Sequence, residues 1–312
     1  MRRSTTFGAA GVLLALAAAL TVLGVGDRAG ALPDWQAFVL GVVQGLTELL
    51  PVSSSGHLIL VPWLGDWTYL EEHDAFNQTF DVALHLGTLV AVVAYFRRDI
   101  VELLAAFFGS LARRGIRTAN ERIAWAVLVA TVPAAFIGAA LEDPIANHLG
   151  EPWQIAIFLA VFAGMLWLAD RRPEREEMGD LSLPQAFLVG CAQALALMPG
   201  VSRSGITITA ARFLGVTRDQ AARFSFLLLT PIVLGAVLLK GVDDVLLGEL
   251  PAGWEGPFLV GTLAAAGSGL LAIEGLLGYV RRHDYTAFVV YRLLVAAAVL
   301  LLIGTGVRSS TF

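Results

Sequence analysis

Long apolar runs separated by short polar stretches dominate the chain. The runs Phe80–Phe96, Ile123–Leu141, Trp153–Ala169, Phe224–Lys240, Phe258–Val280 and Thr286–Gly306 each approach the roughly 20 residues that a helix needs to cross a bilayer. They predict six membrane-spanning helices. A seventh is predicted near the N-terminus, where Arg2 and Arg3 precede an apolar run from Phe7 to Gly26. Ala29-Gly30-Ala31 then resembles a signal cleavage site, but the run exceeds the about 7–15 residues of a signal core. A retained helix is the reading taken, with a cleaved signal as its alternative. The shorter run Ile100–Ala112, with Asp99 and Glu102 at its start and Arg113 and Arg114 at its end, predicts a helix lying at the interface.

Two segments break this pattern. Gln36–Leu64 and Gln185–Leu214 are apolar at both ends but interrupted in the middle, by "LPVSSSGH" and "MPGVSRSG". Irregular backbone at membrane depth survives only where protein or a water-filled cavity surrounds it. Both segments are therefore predicted to enter the membrane and return to the same side.

Charge orients the spans. Arg97, Arg98, Arg113, Arg114, Arg117 and Arg122 crowd one connection, and Arg171, Arg172, Arg175, Arg281 and Arg282 fall in later ones. Glu142–Glu151 carries acids and no Lys or Arg, and Gly241–Pro257 is acidic. The positive-inside rule places the arginine-rich connections in the cytoplasm, and the assignments alternate without conflict.

The two broken segments are copies. At an offset of 149, Gln36, Phe38, Gly41, Gln44, Val52, Ser53, Ser55 and Gly56 recur as Gln185, Phe187, Gly190, Gln193, Val201, Ser202, Ser204 and Gly205. Three spans follow each copy. An odd number of crossings separates the copies, so they enter from opposite faces, the arrangement in which broken helices meet near the midplane and build a site there. The expected fold is an all-α polytopic membrane protein. It has an inverted-topology repeat, two re-entrant broken-helix hairpins and about seven full transmembrane spans. Residues 1–33 read as an extra helix or signal-like segment and 34–312 as one catalytic domain, with repeats near 36–169 and 185–306.

Composition agrees. The chain is 57% hydrophobic and 15% charged, with a mean hydropathy of +0.73, whereas soluble domains carry roughly 25% charged residues. The net charge of -5 gives no sign of nucleic-acid binding. The single cysteine, Cys191, has no intrachain partner for a disulfide.

Against this apolar background Glu48, His57 and Arg203 stand out. Ionisable groups inside a membrane domain cost roughly 2.5–3.5 kcal/mol on insertion scales and usually line a functional cavity. Gln44 and Glu48 share one helix face. Ser53, Ser54 and Ser55 lie in the first break, close enough to His57 for hydroxyl and imidazole to meet. Gly200, Ser202, Ser204 and Gly205 surround Arg203 in the second. A Gly/Ser loop at a helix N-terminus suits an anion, and an arginine adds a fork of donors matched to phosphate oxygens. Acid, base and nucleophile candidates thus sit in copy one, and the cation in copy two. Phosphoryl transfer to serine or water fits that set. Asp81 and His85, four apart, read equally as support for these loops or as a satisfied packing pair. A secondary transporter or flippase for a lipid phosphate or other anion is the alternative, since inverted repeats also mark transporters. It needs the arginine but not a nucleophile with its base.

At "GLTELLPVSSSGH" and "PGVSRSG" the chain resembles the undecaprenyl-pyrophosphate phosphatases, the bacitracin-resistance family, from about Asp34 to Gly306. The resemblance implies a multi-pass enzyme of the bacterial inner membrane, with its site open to the periplasm. It implies hydrolysis of undecaprenyl pyrophosphate to undecaprenyl phosphate and phosphate, which recycles the lipid carrier of peptidoglycan synthesis. The implied cofactor is a divalent cation, Mg2+ or Ca2+. The implied partners are the polyprenyl pyrophosphate lipid and the bilayer, and a homodimer is compatible with them. The family's acidic motif falls on Gln44 and Glu48, its serine and histidine on Ser54 and His57, and its arginine on Arg203. Many members carry Glu where this chain has Gln44. That leaves Glu48 as the sole acid of the motif, to orient His57 or hold the metal while Ser54 attacks phosphorus.

Overall fold

The computed structural model describes residues 3–24, 31–241 and 253–311. Twelve α-helices run through them: α1 (Arg3–Leu23), α2 (Asp34–Leu49), α3 (Ser54–Gly65), α4 (Tyr69–Glu72), α5 (Asp74–Arg113), α6 (Ala119–His148), α7 (Pro152–Asp170), α8 (Leu183–Ala194), α9 (Arg203–Phe213), α10 (Arg218–Gly241), α11 (Glu255–Val280) and α12 (Thr286–Gly304). The protein is an all-α polytopic membrane protein, with seven helices among the described residues long and apolar enough to cross a bilayer. Most of the acidic stretch 241–257, and Ala29 and Gly30 of the cleavage-like triplet, lie outside the described residues.

The two broken segments become short helix pairs, α2–α3 and α8–α9. None of the four reaches the about 20 residues of a full span. The breaks have local causes. Leu50 precedes Pro51 and takes an extended conformation, φ −75° and ψ 146°; Met198 precedes Pro199 and does the same, φ −79° and ψ 120°. Proline disfavours helical backbone in the residue before it.

Packing follows the repeat. α2 lies along α11 and α8 along α6, while α5 packs on α10 and α7 on α12. Counterparts of one repeat thus exchange partners with the other. The repeated glycines make the first two contacts possible: a Cβ at Gly41 would meet the Gly261 carbonyl, and one at Gly190 the Ala130 carbonyl. Small residues allow this approach where van der Waals packing holds membrane helices together. α11 is the central helix, 78% buried over its span against 22% for α12. α1 packs on α11, where Gly267 faces the Ala10 carbonyl and Leu14. Val12, Leu16, Phe136, Leu294 and Leu301 remain exposed, as expected of lipid-facing positions.

Two expectations need correction. Ile100–Ala112 is not a separate interfacial helix. It continues α5, a helix of 40 residues with non-helical backbone at Phe96 (φ −93°, ψ 16°); the charges after Phe96 sit on exposed helix, not in a loop. α6 begins ahead of Ile123 because Thr118 and Glu121 form a capping box, with Thr118 Oγ1 accepting from the Glu121 N–H at 3.2 Å. Arg212 of α9 is fully buried and donates to the carbonyls of Asp170 and Arg172 at 3.1 and 2.7 Å, tying α9 to the end of α7.

Candidate active site

The two breaks meet and hold each other. Ser53 and Ser202, counterparts in the repeat, each cap the helix that follows, at φ 78° and 76°. Left-handed backbone costs a non-glycine residue roughly 1–2 kcal/mol, and the same strain appears twice. Ser53 Oγ accepts from the Gly200 N–H of the other loop at 3.1 Å. Ser204 Oγ donates back to the Leu50 carbonyl of the first at 2.9 Å. Ser202 Oγ accepts from the Gly205 N–H at 3.0 Å.

Arg292 completes the junction. This fully buried residue of α12 donates to the carbonyls of Gly200 and Val201 at 3.0 Å each, of Leu159 at 3.2 Å and of Pro51 at 3.4 Å. Sequence reasoning passed over it, although a lone arginine inside an apolar span is itself a signal.

Above this scaffold lies a cavity of about 480 Å³, lined on one side by Glu48, Ser54, Ser55, Arg203 and Gln193 and by Gln78, Asp81 and His85 of α5. The rest of its wall is apolar and includes Ala134, Leu197, Ile232, Val233, Val237 and Leu239. Glu48, 4% exposed, is the hub. Its Oε1 accepts from Arg203 Nε at 3.0 Å. Its Oε2 accepts from the Ser54 hydroxyl and lies 3.6 Å from His85 Nε2. Arg203 Nη1 donates to the Ser225 carbonyl at 2.9 Å, while its buried Nη2 has no hydrogen-bond partner among the described residues. A carboxylate that accepts from a serine is placed to take its proton. A guanidinium with a free donor is placed to hold a phosphate oxygen.

The predicted residues therefore divide. Glu48, Ser54, Ser55 and Arg203 meet at the cavity. Ser53, Gly200, Ser202, Ser204 and Gly205, expected to bind substrate, instead spend their hydroxyls and backbone groups on caps and on the other loop. Gln44 is fully buried with both amide atoms unpartnered among the described residues and is not among those that line the cavity. The expected Ser54–His57 contact is replaced by other bonds. His57 Nδ1 donates to the Ser53 carbonyl at 2.6 Å, and its Nε2 lies 2.8 Å from the Tyr291 hydroxyl, with the two rings stacked. If His57 works by fixing the first loop against α12, Tyr291→Phe should reproduce much of the turnover loss of His57→Ala, within about threefold. Full activity of Tyr291→Phe beside an inactive His57→Ala would return the imidazole to the chemistry.

The donor set does not fit a resident metal. Both Glu48 oxygens already meet protein donors, and no group of three His, Cys, Asp or Glu among the described residues could hold an ion.

Comparisons with known proteins point to one family. An undecaprenyl-diphosphatase of Geobacter metallireducens is 49% identical over 269 residues, 86% of this chain and 97% of that protein. One from Geobacter sulfurreducens is 50% identical over 266 residues, covering 85% and 96%, and one from Thermomicrobium roseum is 47% identical over 278, covering 86% and 98%. The family model of the bacitracin resistance protein BacA matches residues 37–298, a range that holds both breaks and every cavity residue and begins after α1. The chain is a member of the BacA bacitracin-resistance family.

Proposed function

We propose that this chain hydrolyses undecaprenyl diphosphate to undecaprenyl phosphate and orthophosphate, and so recycles the lipid carrier of cell-wall synthesis and confers bacitracin resistance. The observation that carries the reading is the Ser54–Glu48–Arg203 cluster in a cavity whose remaining wall is apolar. The diphosphate meets the polar side and the first isoprene units meet Leu197, Val233 and Val237. Arg203 Nη2 takes an oxygen of the terminal phosphate and stabilises the charge that builds there. Ser54 Oγ attacks the terminal phosphorus, and Glu48 Oε2 takes its proton. The bond from phosphorus to the bridging oxygen breaks, and undecaprenyl phosphate leaves with that oxygen. Water then attacks phosphoserine 54, releasing phosphate and returning the proton to the serine oxygen. His57 serves this scheme by positioning the loop that carries Ser54. Direct attack by water, with Ser54 only binding, is separated by trapping the phosphoserine. A transporter would need the arginine but not a serine aligned on a carboxylate.

The membrane is the bacterial inner membrane, with the cavity open to the periplasm. This rests on charge: Gln78 and Asp81, at the start of α5, and Leu239, near the end of α10, line the cavity at the helix ends that the arginine-poor connections join. Both loops of the cavity come from one chain, so a homodimer is not needed to complete it. The divalent cation is proposed to arrive on the diphosphate oxygens, because two carboxylates and one guanidinium in the wall leave the anion uncompensated. Chelator should therefore leave the melting temperature of the free protein unchanged within about 2 °C, a shift that corresponds to roughly 1 kcal/mol for a chain of this size. A larger drop would reveal a resident ion. The direct test of function is orthophosphate release from undecaprenyl diphosphate by the purified protein in detergent.

A further inference from the structure

The histidine beside the reacting groups is not the one in the motif. His57 has both ring nitrogens engaged away from Ser54. His85 lies across the cavity on α5, where Gln78, Asp81 and His85 share one helix face by their spacing and line it together. Its Nδ1 is 2.7 Å from the Asp81 carbonyl. A carbonyl only accepts, so Nδ1 carries the hydrogen. Nε2 faces Glu48 Oε2 at 3.6 Å, an ion-pair distance at which the imidazolium ring has its second N–H to offer; that oxygen also receives the Ser54 hydroxyl.

We propose that His85 is a positioning residue of the phosphatase reaction: as an imidazolium its Nε2–H holds Glu48 Oε2 facing Ser54 in an ion pair, while Arg203 holds Oε1. The inference rests on the hydrolase reading above and deepens it. Of the two hydrogen bonds to Glu48, only that from Arg203 is independent of the reacting hydroxyl; with that one alone the carboxylate could rotate about its terminal bond and present either oxygen. With Arg203 fixing Oε1 and His85 flanking Oε2, the oxygen that must accept the serine proton is selected before substrate enters. Such preorganisation raises turnover more than it raises affinity. The charged groups around His85 among the described residues are Glu48 of α2, Arg203 of α9 and Asp81 of its own helix; α6 and α10 present Ala134, Ile232 and Val233.

The two ends of the ring separate a positioning role from a packing role. Glutamine places its amide where Nε2 stands, and asparagine places its amide where Nδ1 stands. Holding Glu48 requires the first, and tying α5 to the Asp81 carbonyl requires the second. With purified full chain, undecaprenyl diphosphate and phosphate release as the readout, we expect His85→Gln to keep at least about a third of kcat. We expect His85→Asn and His85→Ala to lose at least tenfold in kcat, with KM within about threefold of wild type and melting temperatures close to it. Asparagine as active as glutamine or better would overturn the proposal, as would His85→Ala within about threefold of wild type or a defect confined to KM. If His85→Ala fails to fold, the Gln-against-Asn order decides alone. Each of these outcomes presupposes an active wild type. A wild-type protein that released no phosphate would overturn the hydrolase reading, a result visible before any variant is compared.

Discussion

Arg203→Ala should lower phosphate release at least about 100-fold, a loss of roughly 2.7 kcal/mol of transition-state stabilisation. Its guanidinium spends Nε on Glu48 and Nη1 on the Ser225 carbonyl, and Nη2 remains for substrate. Removal therefore has two consequences. The phosphoryl group loses its donor, and the buried Glu48 carboxylate keeps only the Ser54 hydroxyl and His85 beside it. Breaking a buried pair by deleting one partner costs about 3–5 kcal/mol, so the single variant should also melt lower. The double variant Arg203→Ala with Glu48→Gln tells these effects apart. Neutralising the orphaned carboxylate should return much of the lost melting temperature and none of the turnover. Arg203→Lys should fare little better than alanine, because an ammonium cannot serve Glu48, Ser225 and a phosphate oxygen in one plane. Wild-type turnover in a folded Arg203→Ala would end the site assignment.

The spans were legible because lipid demands long apolar runs with few exceptions. The breaks were legible because Gln, Ser and Gly recurred in register where an apolar span had no use for them. What the sequence hid was geometry across helices. His57 follows the serines in the chain, and adjacency suggested that it served them. On the first turn of α3 its ring instead faces α12 and Tyr291. His85 looked like one half of a local pair with Asp81, yet its Nδ1 meets the Asp81 carbonyl and its other nitrogen faces Glu48, far away in the chain. The binding serines were misjudged for a related reason. A strained loop inside a membrane must first satisfy its own backbone, and Ser53, Ser202 and Ser204 do that work before any ligand arrives. α5 was cut in two because Arg97, Arg98 and Asp99 read as a loop, although charged residues continue a helix well once it leaves the lipid.

The Arg292→Met variant should be the most damaging change to stability, because it removes the cation on which both breaks converge. No acidic partner neutralises Arg292 among the ion pairs of the described residues. Carbonyls solvate it instead: Pro51 from the first loop, Gly200 and Val201 from the second, and Leu159 from α7. Without the guanidinium several of these carbonyls lose their partner. Each unsatisfied buried polar group costs about 1–3 kcal/mol, so a loss on the order of 3–5 kcal/mol is expected, read as a lower melting temperature in detergent. Methionine fills similar volume, which keeps a cavity from accounting for the loss. Arg292→Lys should fall between the two, since one ammonium reaches some of these oxygens but not the spread that a planar fork covers. The loops that carry Ser54 and Arg203 should separate first. Turnover should therefore fall at temperatures well below the melting transition, and that early loss distinguishes a clamp on the site from general stabilisation of the bundle. An Arg292→Met protein that melted with wild type and kept its turnover would show that the loop serines alone hold the two halves together.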